Sequence, residues 1–577
     1  MNKHTAELLE RHFDTAFSAA NGIQKLRELI LTLAMQGKLV PQEPKDAPTS
    51  QLLKEIETEK KRLVKEGKIK APKPLPVISS SDEPYALPQG WQWVRLGSVG
   101  NIFNGNSINA TEKEAKYAGA KGLPYIATKD VGYGFDPLDY ENGICIPVGE
   151  NKFRVAHEGT VLICAEGGSA GKKCGLTDRD ICFGNKLFAN ELYGQIPSRF
   201  ILYTYLSPVF RASFAAAMSG IIGGVSIAKF VEVPIPLPPL DEQHRIVAKI
   251  DQLMARCDAL ENLRNEREKK RLATHAAALS QLLDTTGNGS ADDAWAFITQ
   301  HFGDLYAVKE NVTELRKVIL QLAVMGRLVP QDQCDQPASN LLKEIEEKKQ
   351  QLVKDKLLKI GQNTEDTKFI CHDVIIPNSW RWVKGVEILF VTKLAGFEFT
   401  KYINLQDKGE IPVIRAQNVR QFHVDLRNLK FIDLKTSQIL DRCALTKPAL
   451  LVTFIGAGIG DVALFDLPER WHLAPNVAKM EPFIGCESDL NLRYLNYFLL
   501  SPLGRREIFK HLKSTAQPSI SMGTIRDIDY PLPPVAEQHR IVAKVDRLMT
   551  LCDTLEQIIG AALCKETEML DAMMAQV

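Results

Sequence analysis

The sequence predicts an α/β (α+β) protein made of two mixed α/β domains, each carried between a helical arm and a long helix, through duplication of one unit within the chain. Three observations predict it. Residues 236–261 read PLPPLDEQHRIVAKIDQLMARCDALE and residues 531–556 read PLPPVAEQHRIVAKVDRLMTLCDTLE, identical at 19 of 26 positions at an offset of 295 (531 − 236). IQKLRELILTLAMQGKLVPQ is matched by VTELRKVILQLAVMGRLVPQ at an offset of 289 (315 − 26), and SQLLKEIE by SNLLKEIE. A shared helix pattern alone does not produce such identity, so both ends of one unit recur. Between those ends the texture changes to short β-type runs punctuated by glycine, such as GLPYIATKDV, GTVLICAEGG, EIPVIRAQNV and ALLVTFIGAGIG, which predict mixed domains around a curved sheet.

In chain order, residues 1–87 form a helical arm and linker. Leu8, Leu9, Phe13, Phe17, Leu26, Leu29, Ile30 and Leu33 give the arm its helical period, and Gly37 ends it. A second helix, QLLKEIETEKKRLVKEG, precedes a proline-rich linker that leads to Trp91-x-Trp93. The first insert occupies 88–235. In segment 236–376, Pro-Leu-Pro-Pro holds the backbone extended, and Asp241 and Glu242 suit the start of a helix. Ile246, Ile250, Leu253, Cys257 and Leu260 then alternate at spacings of four and three, a coiled-coil seam on a helix predicted to reach Leu283. A loop, DTTGNGSADD, separates that helix from the repeated arm, and a polar linker leads to Trp380-x-Trp382. The second insert spans 377–530. Segment 531–577 repeats the seam with Ile541, Val545, Leu548, Cys552 and Leu555, on a helix predicted to reach Met574. At 1.5 Å per residue each long helix is roughly 60 Å long.

Composition sets bounds on function. With 577 residues there is room for several domains, and 45% hydrophobic with 24% charged residues is an ordinary globular mix. A formal net charge of +1 excludes a uniformly basic nucleic-acid binder while leaving room for segregated charge. The sequence holds no apolar run of 18 residues, and MNKHTAELLERHFD does not resemble a signal peptide, so the expectation is a soluble cytoplasmic protein without a membrane partner. Eleven cysteines without a C-x-x-C pair predict neither a disulfide framework nor a metal site.

Catalytic motifs fall short. FIGAGIGD (454–461) resembles a glycine-rich nucleotide loop, but VALFD continues it as strand where a helix should begin. AEGGSAGKK (165–173) has Glu166 where a phosphate loop needs its first glycine, and Lys173 where it needs Ser or Thr. The two PLPP strings lack the Asn or Asp and the aromatic with which an aminomethyltransferase holds a flipped base. No catalytic residue is therefore predicted. His244 and His539, at equivalent places in EQHR, are read as structural members of a packed seam. Glu242, Gln243 and Arg245, with Glu537, Gln538 and Arg540, are read as a surface that docks the same helical partner twice, against the alternative of an intramolecular capping network.

The signal for nucleic acid lies in the inserts. The second carries 20 Lys and Arg against 16 acids, with RAQNVRQFHVDLRNLK (415–430) and GRREIFKHLK (504–513) prominent. Arg, Gln and Asn on loops at strand ends read base edges, whereas Lys positions the protein on phosphates. Arg415, Gln417, Asn418 and Arg420, and at the corresponding place Lys129 and Asp130, are the first candidates. Lys172, Lys173, Asn185, Lys186 and Gln517 are the second. The frames of the two inserts correspond, with Pro124 and Ile126 at the places of Pro412 and Ile414, but TKDVGYGF stands opposite AQNVRQFH. Equal frames with unequal faces predict two readers of two different targets. A further difference is RASFAAAMSGIIGGVSIAKF opposite GRREIFKHLKSTAQPSISMGTI, where Ser226 and Ser521 keep the register.

The doubled PLPPxxEQHRIVAKID motif, the doubled arm and the W-x-W pairs ahead of two dissimilar inserts resemble the specificity subunit of type I restriction-modification systems, in its longer class with an extended N-terminal arm. The resemblance covers nearly the whole chain. It implies two target-recognition domains on an antiparallel two-helix coiled-coil scaffold with pseudo-twofold internal duplication, each domain binding one half of a bipartite DNA target while the coiled coil sets the unread gap. It implies a non-catalytic chain that docks two methyltransferase subunits and two restriction/translocase subunits, with S-adenosylmethionine, ATP and magnesium (Mg) on those partners. Two groove readers about one helical turn apart fit that geometry. A self-contained DNA methyltransferase is the enzymatic rival, and a coiled-coil adaptor that binds protein is the other.

Overall fold

The computed structural model describes residues 19, 21–219, 223–284, 290–358, 374–456, 458–512 and 518–574. The chain divides into two compact units, Met1–Arg267 with Ala562–Val577, and Glu268–Ala561. Each holds one arm, one insert and the start of the long helix that follows. Both long helices form as predicted, Leu240–Leu283 and Val535–Met574.

In the first unit, β1 (Gln92–Arg95) holds Trp93 and pairs antiparallel with β10 (Pro234–Leu237), Trp93 opposite Pro236. The prolines of β10 are two apart, so both missing N–H groups face one side and the strand can still pair on the other. Between these closing strands lie two four-stranded sheets. One has the order β2 (Gly100–Asn104), β9 (Leu187–Leu192), β6 (Val161–Cys164), β7 (Cys174–Leu176). The other has the order β4 (Cys145–Ile146), β3 (Leu123–Ile126), β8 (Ile181–Phe183), β5 (Val155–Ala156), with β3 and β8 parallel. The VLIC run of β6 is buried on both faces because each face has its own core. Val161 and Ile163 pack with the arm and the helix Ser198–Leu206, while Leu162 and Cys164 pack with Ile126, Ile181 and Phe183.

The second unit repeats the frame. Strand β11 (Arg381–Lys384) pairs with β22 (Asp529–Leu532), Trp382 opposite Pro531. One sheet runs β12 (Leu389–Lys393), β21 (Val477–Pro482), β18 (Ala449–Thr453), β19 (Val462–Phe465). The other runs β16 (Lys430–Ile432), β13 (Ile411–Ile414), β20 (Trp471–Leu473), β17 (Ala444–Leu445), with β13 and β20 parallel. Strand β18 divides its side chains as β6 does, Leu450 and Val452 to one core and Ala449 and Leu451 to the other. Ser226 and Ser521 cap short helices, accepting from the N–H groups of Lys229 and Thr524.

The seam residues are buried as their spacing predicts. Ile246, Ile250 and Cys257 share a core with Ile23, Ile30 and Ala34 of the arm helix Gly22–Met35, while Leu260 is 44% exposed and leaves the seam. In the second unit Ile541, Val545 and Cys552 pack with the arm helix Lys309–Val324. There Ala278 and Leu279, near the C-terminal end of the first long helix, share that core with Leu548, Leu555 and Ile559 of the second. Leu570 and Met573 at the far end of the second helix pack with Leu29 in the first unit.

Each arm helix stops at a glycine with a left-handed backbone, Gly37 at φ 66° and Gly326 at φ 68°. A Cβ on Gly326 would stand 2.5 Å from Pro377 Cγ, and one on Gly37 2.4 Å from Pro88 Cγ. The glycine both ends the helix and lets the arm close on the segment before Trp91 or Trp380. Gly326→Ala is expected to lower the stability of the second unit by about 1–3 kcal/mol, read as a reduced urea midpoint with unchanged far-ultraviolet dichroism at low denaturant.

Candidate nucleic-acid interface

At the end of the first unit's sheets, three loops form one edge. After β3 comes a short turn, Thr128–Asp130. Asp130 is buried, accepting the Ala127 N–H at 2.9 Å, and its own carbonyl accepts from the Asp139 N–H at 2.9 Å. It builds the loop, which corrects the expectation that it contacts DNA. Lys129 beside it is exposed. In the β6–β7 loop, Lys173 donates to the Thr128 carbonyl at 3.2 Å and lies 4.9 Å from the Tyr133 ring, and Lys172 is exposed. Asn185 and Lys186, in the β8–β9 turn, are exposed too, and the Lys186 carbonyl accepts the Ala165 N–H at 2.8 Å. The structure thus brings together five of the candidates. It adds Tyr133 and Phe135, 56% and 39% exposed, whose signal was two aromatics, each following a glycine, in a loop.

The second unit's edge is built alike and furnished differently. The turn Ala416–Asn418 follows Arg415. Asn418 is buried, accepting the Arg415 N–H at 3.2 Å and donating to the carbonyls of Asp425 at 2.9 Å and Arg427 at 3.2 Å. It is the structural counterpart of Asp130 and is likewise corrected from reader to loop builder. Gln417 is exposed, Arg415 is half-buried, and Arg420 approaches Asp461 at 4.0 Å. Gln517 lies outside the described residues. Gly456, Gly458 and Gly460 all have positive φ, and β19 follows as a strand, as the sequence reading required. A Cβ on Gly460 would meet Phe509 at 2.3 Å, and Arg505 donates to the Gly460 carbonyl, so packing accounts for this glycine.

The six residues expected to dock a partner sit at a junction within their own units. Glu242 is buried, accepting from Trp91 Nε1 at 2.9 Å and Gln42 Nε2 at 2.5 Å. Glu537 repeats this with Trp380 at 2.9 Å and Gln331 at 2.5 Å. Gln243 and Gln538, both fully buried, donate to the carbonyls of Pro238 and Pro533. Arg245 pairs with Asp46 at 2.6 Å and Arg540 with Asp335 at 2.6 Å. The expectation of a docking surface is therefore corrected for Glu242, Gln243, Glu537 and Gln538: their own chain covers them, and the capping network is what forms. His244 and His539 are exposed, which corrects their reading as packed seam residues. Burial pushes both glutamates above the ordinary value of 4.5, against the opposing pull of the indole and amide donors and the neighbouring arginine.

Among the described residues no group of three His, Cys, Asp or Glu could hold a metal ion, and no helix is long and apolar enough to cross a membrane.

The family model for the type I restriction modification DNA specificity domain matches residues 88–268 and again 387–563. The specificity subunit of the type I restriction enzyme EcoAI from Escherichia coli is 31% identical over 570 residues, covering 96% of this chain and 93% of its own. That of EcoEI, also from Escherichia coli, is 29% identical over 577 residues with the same coverage. A chain from a solved type I R-M system aligns with a TM-score of 0.47 at 16% identity, over 85% of this chain and 99% of its own.

Two outcomes follow from the junction. Trp380→Phe leaves a buried carboxylate oxygen without its donor and is expected to cost about 1–3 kcal/mol, measured by urea unfolding at neutral pH. A carboxyl whose folded pKa is raised contributes stability that is fully present below the unfolded value and lost as pH rises through the folded one. Relative to Glu537→Gln, the parent chain is therefore expected to lose stability as pH rises above about 4.5, measured as the difference between the two urea midpoints across a pH series.

Proposed function

The chain belongs to the type I restriction-modification DNA specificity family, and from that premise we propose that each mixed α/β domain binds one half of a bipartite, asymmetric DNA target. One observation supports the two halves. The strand orders of the units are the same, β2-β9-β6-β7 against β12-β21-β18-β19 and β4-β3-β8-β5 against β16-β13-β20-β17. The residues at their edges are not: the exposed Lys129, Lys172, Asn185 and Lys186 in one, the exposed Gln417 and half-buried Arg420 in the other. In this reading the lysines neutralise phosphates, Gln417 and the arginines meet base edges, and the long helices set the spacing between half-sites.

The chain is a specificity subunit, and the chemistry belongs to its partners: two methyltransferase subunits, which use S-adenosylmethionine, and two restriction/translocase subunits, which use ATP and magnesium. The methyltransferase subunits dock on the repeated helices. Because Glu242, Gln243, Glu537 and Gln538 are covered, the repeated surface open to them runs over His244 and His539 and the half-buried Arg245 and Arg540.

Tagged chain drawn from its source lysate is expected to bring a methyltransferase with it at two copies per chain. Long-read mapping of methylated adenines should then give one split motif, of which exchange of residues 377–530 changes one half only. Retention on DNA should fall steeply between about 50 and 200 mM salt, and each of Lys129→Ala, Lys172→Ala and Lys186→Ala should reduce the salt slope by about 1. Methylation by the isolated chain would instead favour the enzymatic rival. Absence of both a methyltransferase partner and DNA retention would favour the adaptor.

A further inference from the structure

The second unit's edge contains a cleft of 390 Å³ lined by Phe399, Leu405, Arg415, Gln417, Pro475 and Asn476 among others. Its apolar part comes from half-buried side chains and the buried Ala474, and its polar part from three groups with hydrogen-bonding capacity to offer. Arg415 donates through Nη2 to the carbonyl of Asn428, but its Nε is buried without an acceptor among the described residues. A buried donor left unpaired is costly, so this arginine is held in place mainly through Nη2. Gln417 and Asn476 are exposed, and neither side-chain amide is engaged in a hydrogen bond among the described residues. The Asn476 backbone is fixed: its carbonyl accepts the Phe454 N–H at 3.1 Å, just as the Lys186 carbonyl accepts the Ala165 N–H at 2.8 Å in the first unit. Asn476 thus occupies the place of Lys186, which the sequence reading singled out, whereas Asn476 was passed over.

Resting on the specificity reading above, we infer that Asn476 is a specificity-determining residue, which with Gln417 reads the adenine edge of one base pair in one half-site. A carboxamide offers one donor and one acceptor in the spacing of adenine N6 and N7, and the apolar wall beside it suits the flat base rather than a phosphate. The lysine at the equivalent place in the first unit has no acceptor to offer an adenine amine, so the two edges cannot select the same base in the same way.

The test uses the full chain assembled with its methyltransferase subunits and a DNA library randomised across both half-sites, with methylated adenines mapped by long reads. Asn476→Ala is expected to reduce discrimination at one base pair of one half-site by about tenfold and to leave the other half unchanged. Asn476→Gln, which keeps the carboxamide, should retain preference for the same base. Because Asn476 is exposed, the unfolding midpoint of either variant should match the parent. Unchanged discrimination in Asn476→Ala would overturn the inference, and so would equal loss across both halves. A parent complex that methylates no split motif would overturn the specificity reading itself, and the inference with it.

Discussion

The fold depends on a carboxylate that its own chain has taken out of water. In each unit a glutamate in the first turn of a long helix accepts from the indole of the W-x-W segment and from the amide of the LVPQ segment. Three strings distant in sequence are thereby tied at one point: the end of the arm, the start of the α/β domain and the start of the rod. The tie is directional, because a carboxylate in low dielectric tolerates few arrangements of donors and none without them. Burial of a charge is a poor source of stability, and the raised pKa of both glutamates records the cost. What it supplies is register. Arm, domain and rod can meet only where the indole, amide and carboxylate coincide, and the Arg–Asp pairs beside them, Arg245 with Asp46 and Arg540 with Asp335, reinforce the same alignment.

From that fixed point the domain closes on itself. Trp93 and Trp382 enter strands paired with the prolines that precede the rods, so the first and last strands of each domain lie side by side. The central strands β6 and β18 have cores on both faces, which leaves little freedom for their side chains. The loops at the sheet ends carry exposed side chains on a backbone held at defined points. One is the buried Asp130 or Asn418, each of which holds the turn after a parallel strand by accepting from the backbone three residues earlier. This division explains how near-identical frames can carry different residues at their edges.

Much of this was legible in the sequence, and what was missed was missed for physical reasons. The rods, the seam and the arms carry periodic apolar patterns, and the helices Leu240–Leu283 and Val535–Met574 follow them. Strand β19 follows the glycine-rich 454–461 segment, as the β-type residues after it predict. Glu242, Gln243, Glu537 and Gln538 were placed on the surface because polar residues in a first helical turn normally face water. Only tertiary structure reveals the tryptophan that donates to each glutamate, while each glutamine folds back on a proline carbonyl five residues earlier. His244 and His539 went the other way: they sit two residues before the first seam residues, Ile246 and Ile541, and therefore about 200° round the helix from them. Asp130 and Asn418 carry the side chains of base readers, and the sequence alone does not show that their groups are consumed by the backbone.

Asn476 illustrates the opposite failure. Lys186 stood out as a cation in a turn, whereas its counterpart in a PN dipeptide reads as turn chemistry. The duplication is what makes the two comparable. When two copies share a frame, any residue on the edge of one nominates a position in the other, whatever its chemistry. Residues that are the same in both copies then report on the frame, and exposed residues that differ report on the target. By that criterion the EQHR motif, the most strongly repeated feature of the chain, is mainly a statement about how each unit is built. In the proposed function, selection between DNA sequences falls to the less repeated edges, where Gln417 and Asn476 stand in the places that Lys129 and Lys186 hold in the other copy.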